Sequence, residues 1–516
     1  MRTAAGPGVF ADIRFPAVVL SLLISAWFAY TAGLINNDGI HYLSAARLIA
    51  AGDWAGACQM EVLRCWLLFP SLIATVGKLT GLGLESAAYL LGAVFSGLMV
   101  FAFLTLVREL GANRTTLVIA AFVILLHPFL NNARADVIRD HGYWALYLLM
   151  VLFFIRFWRD ASWQHAFAWM AAAVAATLFR IEGIVFLLFL PLVLVADTSR
   201  RFAERLLRLL KAHAFTGLVM LMLLAWWALD PAFSAGNSGR LFEPVQRLAE
   251  TREQLHTGLE IRAQVMGEQV LGSELDHYAL SALWAGLLMI IVYKVINTLS
   301  PLYALLFFFR QLRAHFSPPA GVVPVIAWLV VLNLSILLVE VLTRFTLSGR
   351  FAVPLALTLM LIVPFLLEAM YSRWQAGALR GWQRWLALPL VLAALLFMAV
   401  DGFYSSGSGR HDYLRDAGYW LRDRVDSTTR VFSNNARVIH YSGQDSKRDK
   451  WVNDKRTSRM LKRGSWRKYD YIAIQVDGDD KSLRDKAVKA LGMPVMEFSN
   501  SYQDSVLVFE TAVLAP

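Results

Sequence analysis

The stretch Phe15-Pro16-Ala17-Val18-Val19-Leu20-Ser21-Leu22-Leu23-Ile24-Ser25-Ala26-Trp27-Phe28-Ala29-Tyr30-Thr31-Ala32-Gly33-Leu34-Ile35, followed by Asn36-Asn37-Asp38-Gly39-Ile40-His41-Tyr42, decides the fold class. Apolar runs of roughly 17–25 residues cross a bilayer as helices, because the hydrocarbon core offers backbone groups no water and a helix satisfies its own. Asp38 therefore falls where a membrane helix meets water. The amphipathic stretch after it (Ile40, Leu43, Ala46, Arg47, Ile49, ending at Gly52) seats the carboxylate at the lip of the bilayer, a place for chemistry on a lipid-borne substrate. Asp38 also reads as a plain N-cap in a connecting loop. The other polar residues of the chain bear on that choice.

With 57% hydrophobic and 17% charged residues over 516 positions, the chain is too apolar for a soluble enzyme. Its mean hydropathy is +0.51. The net charge of +11 does not point to nucleic acid, because many of the Lys and Arg residues occupy short loops between apolar runs, as in polytopic membrane proteins. Spans are expected near 15–35, 86–107, 115–130, 141–158, 163–179, 181–197, 213–229, 281–309, 321–341, 350–369 and 386–402, about eleven in all, with a break at Pro301 in the long run. Loops with Arg108 and Arg114, Arg156 and Arg159, Arg200 to Lys211, Arg310 and Arg313, and Arg373 to Arg384 fall on one side, which the positive-inside rule makes cytoplasmic. The N-terminus is then inside and the C-terminus outside. The first span also resembles a signal peptide ending in Ala-Tyr-Thr-Ala. Its removal would detach the Asp38 loop, so it is read as an uncleaved helix.

This topology sorts the informative residues onto the outer face. Asp38 follows the first span, and His127 to Tyr143, with Asp136, Arg139 and Asp140, follows the third. Phe179-Arg180-Ile181-Glu182-Gly183 is a tight outer turn, and Arg344-Phe345-Thr346-Leu347-Ser348-Gly349-Arg350 is another. Ionisable groups at span ends can snorkel. Carboxylates and arginines converging on one face describe a site that binds an anionic phosphate and deprotonates a hydroxyl. Arginine suits the phosphate, because its planar fork holds two oxygens at once. Arg180, Arg344 and Arg350 are the candidates for that role. A hydroxyl acceptor needs a carboxylate base, and a second carboxylate tunes or orients it. Asp38 is the candidate base and Asp140 the second carboxylate, ahead of Asp136, because Asp140 opens the fourth span on a rigid helix end. His41, Tyr42, Asp136, Arg139 and Glu182 line the substrate. His41 could alternatively be a metal ligand or a proton relay. Cys58 and Cys65, both in the first outer loop, are either a disulfide or two free thiols.

The sequence Asn-Asp-Gly-Ile-His-Tyr-Leu-Ser-Ala-Ala-Arg around Asp38, the His127-Pro128 segment with its acidic residue before the fourth span, and Phe179-Arg180-Ile181-Glu182-Gly183 resemble the GT-C membrane glycosyltransferases. Within them the chain is similar to the branch of protein O-mannosyltransferases and lipid A aminoarabinose transferases. The resemblance implies a multi-pass helical fold, a polyprenyl-phosphate sugar donor and inverting transfer outside the cytoplasm. It gives a catalytic role to Asp38 and to Asp140. The Arg-x-Glu-Gly turn matches at Arg180, Glu182 and Gly183, and the basic turn before the tenth span matches at Arg350. Many relatives carry a second acidic residue beside the first-loop Asp, whereas Asn37 and Gly39 stand there here. No metal site and no resident cofactor are therefore predicted, although a divalent cation stays compatible with the residues. The acceptor implied is an envelope glycan, lipid A or a protein, and the location implied is the bacterial inner membrane with a periplasmic tail.

The expected division is a transmembrane domain over 1–402, with outer loops 36–85 and 230–280, and a soluble α/β accessory domain over 403–516. Leu241 to Glu268 reads as an amphipathic helix with Leu248, Leu255, Leu259 and Ile261 on one side, either a lid over the donor entrance or a helix lying on the membrane surface. After the Ser405-Ser406-Gly407-Ser408-Gly409 linker, a helix is expected over Asp412 to Val425, strands over 430–433, 437–441 and 470–476, a helix over 480–492, and strands over 495–499 and 504–511. The charged stretch Lys447 to Arg467 reads as a solvated face. A transporter or flippase would bury charges deep within its spans, where few lie, Glu340 and Lys294 being the main ones, and would show paired repeats. A scaffold without catalysis would leave the outer set of charges unexplained.

Overall fold

The computed structural model describes residues 12–229, 257–377 and 411–511 except 61, 314–315, 320, 427, 445–453 and 479, together with 393, 395–398 and 400. In chain order the helices are α1 (Arg14–Thr31), α2 (Asn37–Ala50), α3 (Trp54–Cys58), α4 (Leu68–Thr80), α5 (Leu84–Glu109), α6 (Arg114–Leu125), α7 (Pro128–Ala133), α8 (Asp140–Asp160), α9 (Trp163–Phe179), α10 (Gly183–Phe189) and α11 (Phe202–Leu229). There follow α12 (Leu259–Met266), α13 (Ala279–Leu299), α14 (Pro301–Leu306), α15 (Val322–Arg344), α16 (Gly349–Met360) and α17 (Val363–Gln375). The tail adds α18 (Asp412–Arg422), α19 (Ala436–Tyr441), α20 (Asp454–Arg463) and α21 (Lys481–Leu491), with β1 (Val431–Ser433), β2 (Tyr471–Val476), β3 (Met496–Ser499) and β4 (Ser505–Glu510).

Among the described residues, α1, α5, α8, the helical run Asp276–Leu299 and α15 are long and apolar enough to cross a membrane, and α16 with α17 form a further candidate bent by 43°. The spans expected near 115–130, 163–179, 181–197 and 213–229 are helical as α6, α9, α10 with the 3-10 turn Leu190–Ala196, and α11. Of these, α6, α9 and α10 with its 3-10 turn are, at 17 residues or fewer, shorter than the helices that cross on their own. The span near 386–402 lies largely outside the described residues. The long run breaks at Ser300, whose φ of 77° ends α13, and Pro301 opens α14, where its missing amide hydrogen costs nothing.

The chain forms two compact units: Met1–Ile24, Gly92–Asn131 and Arg139–Phe403 make the first, and Ser25–Leu91, Asn132–Ile138 and Tyr404–Pro516 the second. The second unit thus combines 25–91 and 132–138 with the tail.

In the first unit α8 packs along α9, with Phe154 edge-on to Trp169 at 5.4 Å. The Asn333 amide donates to the Tyr147 hydroxyl at 2.9 Å, and Tyr147 and Thr358 hydroxyls lie 2.6 Å apart, so a satisfied polar network joins α15, α8 and α16 inside the unit. A second core holds Leu259 of α12 against Leu287, Ile291, Leu337, Val341 and Leu355. Ile261 is exposed while Leu259 and Ala263 are buried, so the inward face of α12 runs through 259 and 263. Leu248 and Leu255 lie outside the described residues.

In the second unit α2 packs on α4 through Tyr42 and Phe69, whose rings meet edge-on at 5.1 Å. Asp53 caps α3 by accepting from the Gly56 amide at 2.8 Å. The tail carries a four-stranded sheet in the order β1-β2-β4-β3, with β1 parallel to β2 and the other neighbours antiparallel. Alternation along the strands covers both faces. Ala473, Val506 and Val508 pack against Tyr413, Leu414, Ala417, Leu421 and Val438 of α18 and α19. Ile472, Ile474, Leu507 and Phe509 pack against Leu461, Leu483, Ala487 and Leu491 of α20 and α21. The segment 437–441 is helix, not the expected strand. Its β-branched residues argue for extension, but the Asn435 side chain accepts from the Arg437 amide at 2.8 Å and caps a helical turn that buries Val438 and Tyr441. Within the charged stretch, Thr457 and Leu461 are buried, so α20 has an inward face as well as a solvated one.

Candidate active site

The first turn of α8 gathers charge within the first unit. Asp140 is its first residue and is buried, with Arg139 immediately before it as the N-cap. Gly142 has no side chain to spare: a Cβ there would collide with the Phe179 ring, so the end of α9 lies directly against the start of α8. The residue after Phe179 is Arg180, and its guanidinium donates to Asp140. Two further donors of the same fork reach Glu182, Nε to Oε2 and Nη2 to Oε1, each at 3.2 Å. The guanidinium plane faces Phe351 at 4.1 Å and Tyr143 at 5.8 Å. Arg180 is thus enclosed by two carboxylates and two aromatic rings, with its side chain 7% exposed.

Arg350 approaches from α16, its Nη1 3.8 Å from Asp140 Oδ2. Arg344 ends α15 and forms an ion pair with Glu340 one helical turn earlier, its Nε 2.8 Å from Oε1. Their side chains are 36% and 48% exposed. The three arginines assigned to phosphate therefore differ. Arg180 is spent on internal carboxylates, which is not the state of an open anion ligand, whereas Arg344 and Arg350 still present much of their surface.

The far end of α8 is basic. Arg156 donates to Glu109 at 2.9–3.0 Å, Arg159 pairs with the same carboxylate, Arg208 donates to Phe157 O at 3.2 Å, and Lys211 donates to Ala161 O. The 21 residues of α8 span about 30 Å, the thickness of a bilayer's hydrocarbon core, so the Asp140 group and this cluster stand one membrane thickness apart.

In the second unit Asp38 is half-buried in the first turn of α2. It is not the N-cap. That position is Asn36, whose side chain makes no capping bond and instead pairs with Val137 on both sides, accepting from its amide at 2.8 Å and donating to its carbonyl at 3.4 Å. Gly39 allows the approach, since a Cβ there would stand 2.7 Å from Asn36 Oδ1 and 3.0 Å from Val137 Cβ. His41 and Tyr42 are buried on α2. Asp136 is half-buried beside Val137, and its charge acts on Arg437. Cys58 and Cys65 are joined in a disulfide between α3 and α4.

Asp140, Arg139, Arg180, Glu182, Arg344 and Arg350 thus belong to the first unit, and Asp38, His41, Tyr42, Asp136, Cys58 and Cys65 to the second. Several contributors have no sequence signal. Tyr143 and Phe351 are ordinary aromatics until the fold lays Arg180 over them. Arg415, Arg437 and Tyr441 lie in the tail but bond the loop before Asp38.

No protein-family model and no curated protein matches the chain. Solved structures do. ArnT from Cupriavidus metallidurans bound to undecaprenyl phosphate is similar over 98% of this chain and 100% of its own, with TM-score 0.55 and 14% identity. The archaeal oligosaccharyltransferase AglB from Archaeoglobus fulgidus, in complex with an inhibitory peptide and a dolichol-phosphate, is similar over 94% of this chain and 72% of its own, with TM-score 0.51 and 12% identity. The Archaeoglobus fulgidus oligosaccharyltransferase in complex with Zn and sulfate covers 95% of this chain and 73% of its own, with TM-score 0.52 and 14% identity. At these identities the likeness is one of fold.

A bound cation would need carboxylates converging on one open point. Here Asp140 and Glu182 converge on the Arg180 guanidinium, and among the described residues no three His, Cys, Asp or Glu side chains form a ligand group.

Proposed function

We propose, starting from the GT-C fold that this chain shares with these solved structures, that it is an integral-membrane glycosyltransferase. It moves a sugar from a polyprenyl-phosphate donor to a hydroxyl of an envelope glycan, lipid A or protein. Transfer takes place on the outer face of the bacterial inner membrane, with the N-terminus cytoplasmic and the tail periplasmic. The basic cluster at one end of α8 supports that orientation through the positive-inside rule.

Asp38 takes the proton of the acceptor hydroxyl as its oxygen attacks the anomeric carbon. The bond from that carbon to the phosphate oxygen breaks on the opposite side, which inverts the configuration, and the polyprenyl phosphate leaves with the bonding electrons. Arg350 and Arg344 hold the phosphate and offset the charge it gains. Arg180 does not reach for the donor in this reading. It locks Asp140 and Glu182 in place, and Asp140 in turn orients Arg350. Arg139, Asp136, His41 and Tyr42 shape the acceptor side.

The observation that carries this reading is the turn from Arg344 to Arg350. Two partly exposed guanidiniums flank it, and one of them stands beside the buried Asp140 pair. Mass spectrometry of envelope glycans, glycolipids and surface proteins tests it, comparing cells that lack the protein with cells in which the intact chain is restored. One sugar-sized mass on one class of molecule returns with the chain. Identical masses in both would remove the transferase reading.

A further inference from the structure

The loop that delivers Asp38 is fixed by side chains from the other end of the sequence. Arg415 donates from Nη1 to Gly33 O at 2.8 Å. The Ile35 amide donates to the Tyr441 hydroxyl at 3.0 Å, and Arg437 Nε donates to Ile35 O at 3.1 Å. Leu34 packs into the tail's core beside Tyr413, Leu414 and Val438. Ile35 is fully buried, and Asn36 is clamped on Val137. Four consecutive residues, Gly33 to Asn36, are therefore each bonded or packed in the second unit, two positions before Asp38.

A connection between two helices does not need this. Loops of this kind ordinarily run over the surface with their backbone groups in water, and they tolerate change. Here the main chain is bonded on both edges by three side chains of α18 and α19, and Leu34 packs against the tail's core. The arrangement has the form of a mount, in which neighbouring groups fix the backbone from which a reactive side chain projects.

We propose that Arg415, Arg437 and Tyr441 are positioning residues for Asp38, and that the tail acts in the reaction by fixing the backbone that presents this carboxylate. The proposal rests on the reading of Asp38 as the base. Through this mount the tail is a working part of the site rather than an accessory placed near it. The three residues touch neither donor nor acceptor.

The test uses the full-length protein in detergent and in cells. Hydrogen exchange read by mass spectrometry follows the peptide covering residues 33–40 in the intact chain and in Tyr441→Phe, Arg437→Ala and Arg437→Lys. Formation of the sugar-sized mass is timed in cells carrying each variant at equal abundance, with Asp38→Asn alongside. The mount predicts that Tyr441→Phe and Arg437→Ala each raise exchange in this peptide about tenfold and leave exchange in α8 and α9 unchanged. Product formation slows by about ten- to a hundredfold, as displacement of a reacting group by an ångström does. Arg437→Lys, which keeps one donor, recovers part of both. The proposal is overturned if exchange rises while product forms at the intact rate, or if neither changes. If Asp38→Asn itself forms product at the intact rate, the assignment of the base has failed, and that outcome is separate from any result for the tail variants.

Discussion

Asp140 and Arg180, forty positions apart, form a buried ion pair at the first turn of α8, and Glu182 takes two further donors of the same guanidinium. Three charges removed from water depend on one another. Removing the cation takes the bonded counter-charge from two carboxylates, a loss of about 3–5 kcal/mol for buried pairs. Arg180→Ala is expected to lower the thermal midpoint of the detergent-solubilised protein sharply. Arg180→Lys recovers only part, because a single ammonium cannot bridge both carboxylates as a planar fork does. An unchanged midpoint in Arg180→Ala would show that the trio does not hold the site together.

Arg350 and Arg344 carry the donor phosphate in the proposed mechanism, and both are more exposed than Arg180. Loss of a charge-assisted hydrogen bond is worth about 1.5–3 kcal/mol, or roughly ten- to a hundredfold in affinity. Arg350→Ala and Arg344→Ala are each expected to weaken binding of undecaprenyl phosphate by about that factor; Arg344→Ala also lowers the thermal midpoint, because it removes the partner of the buried Glu340 carboxylate. Native mass spectrometry of the purified variants with this lipid reads both the ratio and the order of the two effects.

Asn36 replaces a strand partner for Val137, supplying an acceptor to its amide and a donor to its carbonyl. Asn36→Ala leaves both groups unpaired, at about 1–3 kcal/mol for a buried backbone group. Asn36→Asp keeps the acceptor and loses the donor, so it costs less. Faster exchange at the Val137 amide in the alanine variant, with the aspartate variant between, is the expected pattern.

His440 gives the second unit an acid limit. It lies in α19, and burial, with the charge of Arg47 adding to it, holds its imidazole down to about 4 from an ordinary 6.5. The unfolded chain takes up this proton first as pH falls. Between 6.5 and 4 the unfolded state therefore binds more protons, and stability rises with pH. The loss on acidification is on the order of 3 kcal/mol at most. His440→Gln is expected to flatten the fall in stability between about pH 7 and pH 4.5 when exchange in the tail peptides is followed.

Much of the membrane region is legible in the sequence because its signals are local. Apolar runs mark α1, α5, α8 and α15, and Arg180-Ile181-Glu182-Gly183 is short enough that a turn between two helices is forced. The break at Ser300-Pro301 follows from the chemistry of proline. What the sequence withholds is long-range. Arg180 looks like a phosphate ligand until its two carboxylates arrive beside it, one of them from α8. Asp38 looks like a cap until Asn36 is found in that position. The residues 437–441 read as a strand because their β-branched side chains speak louder than one capping asparagine, so the helix that carries Arg437 and Tyr441 to the Asp38 loop has no local announcement. The division into units is hidden for the same reason, since it joins 25–91 and 132–138 to a tail some three hundred residues away.

The most direct test of the central claim compares Asp38→Asn with Asp38→Glu in cells lacking the protein, each at the membrane abundance of the intact chain, with the sugar-sized envelope mass as readout. If Asp38 is the base, the asparagine variant restores none of that mass, and the glutamate variant, which keeps a carboxylate on a longer stem, restores a small part. Full restoration by Asp38→Asn would contradict the claim, leaving Asp38 as an acidic residue in the first turn of α2 and no more.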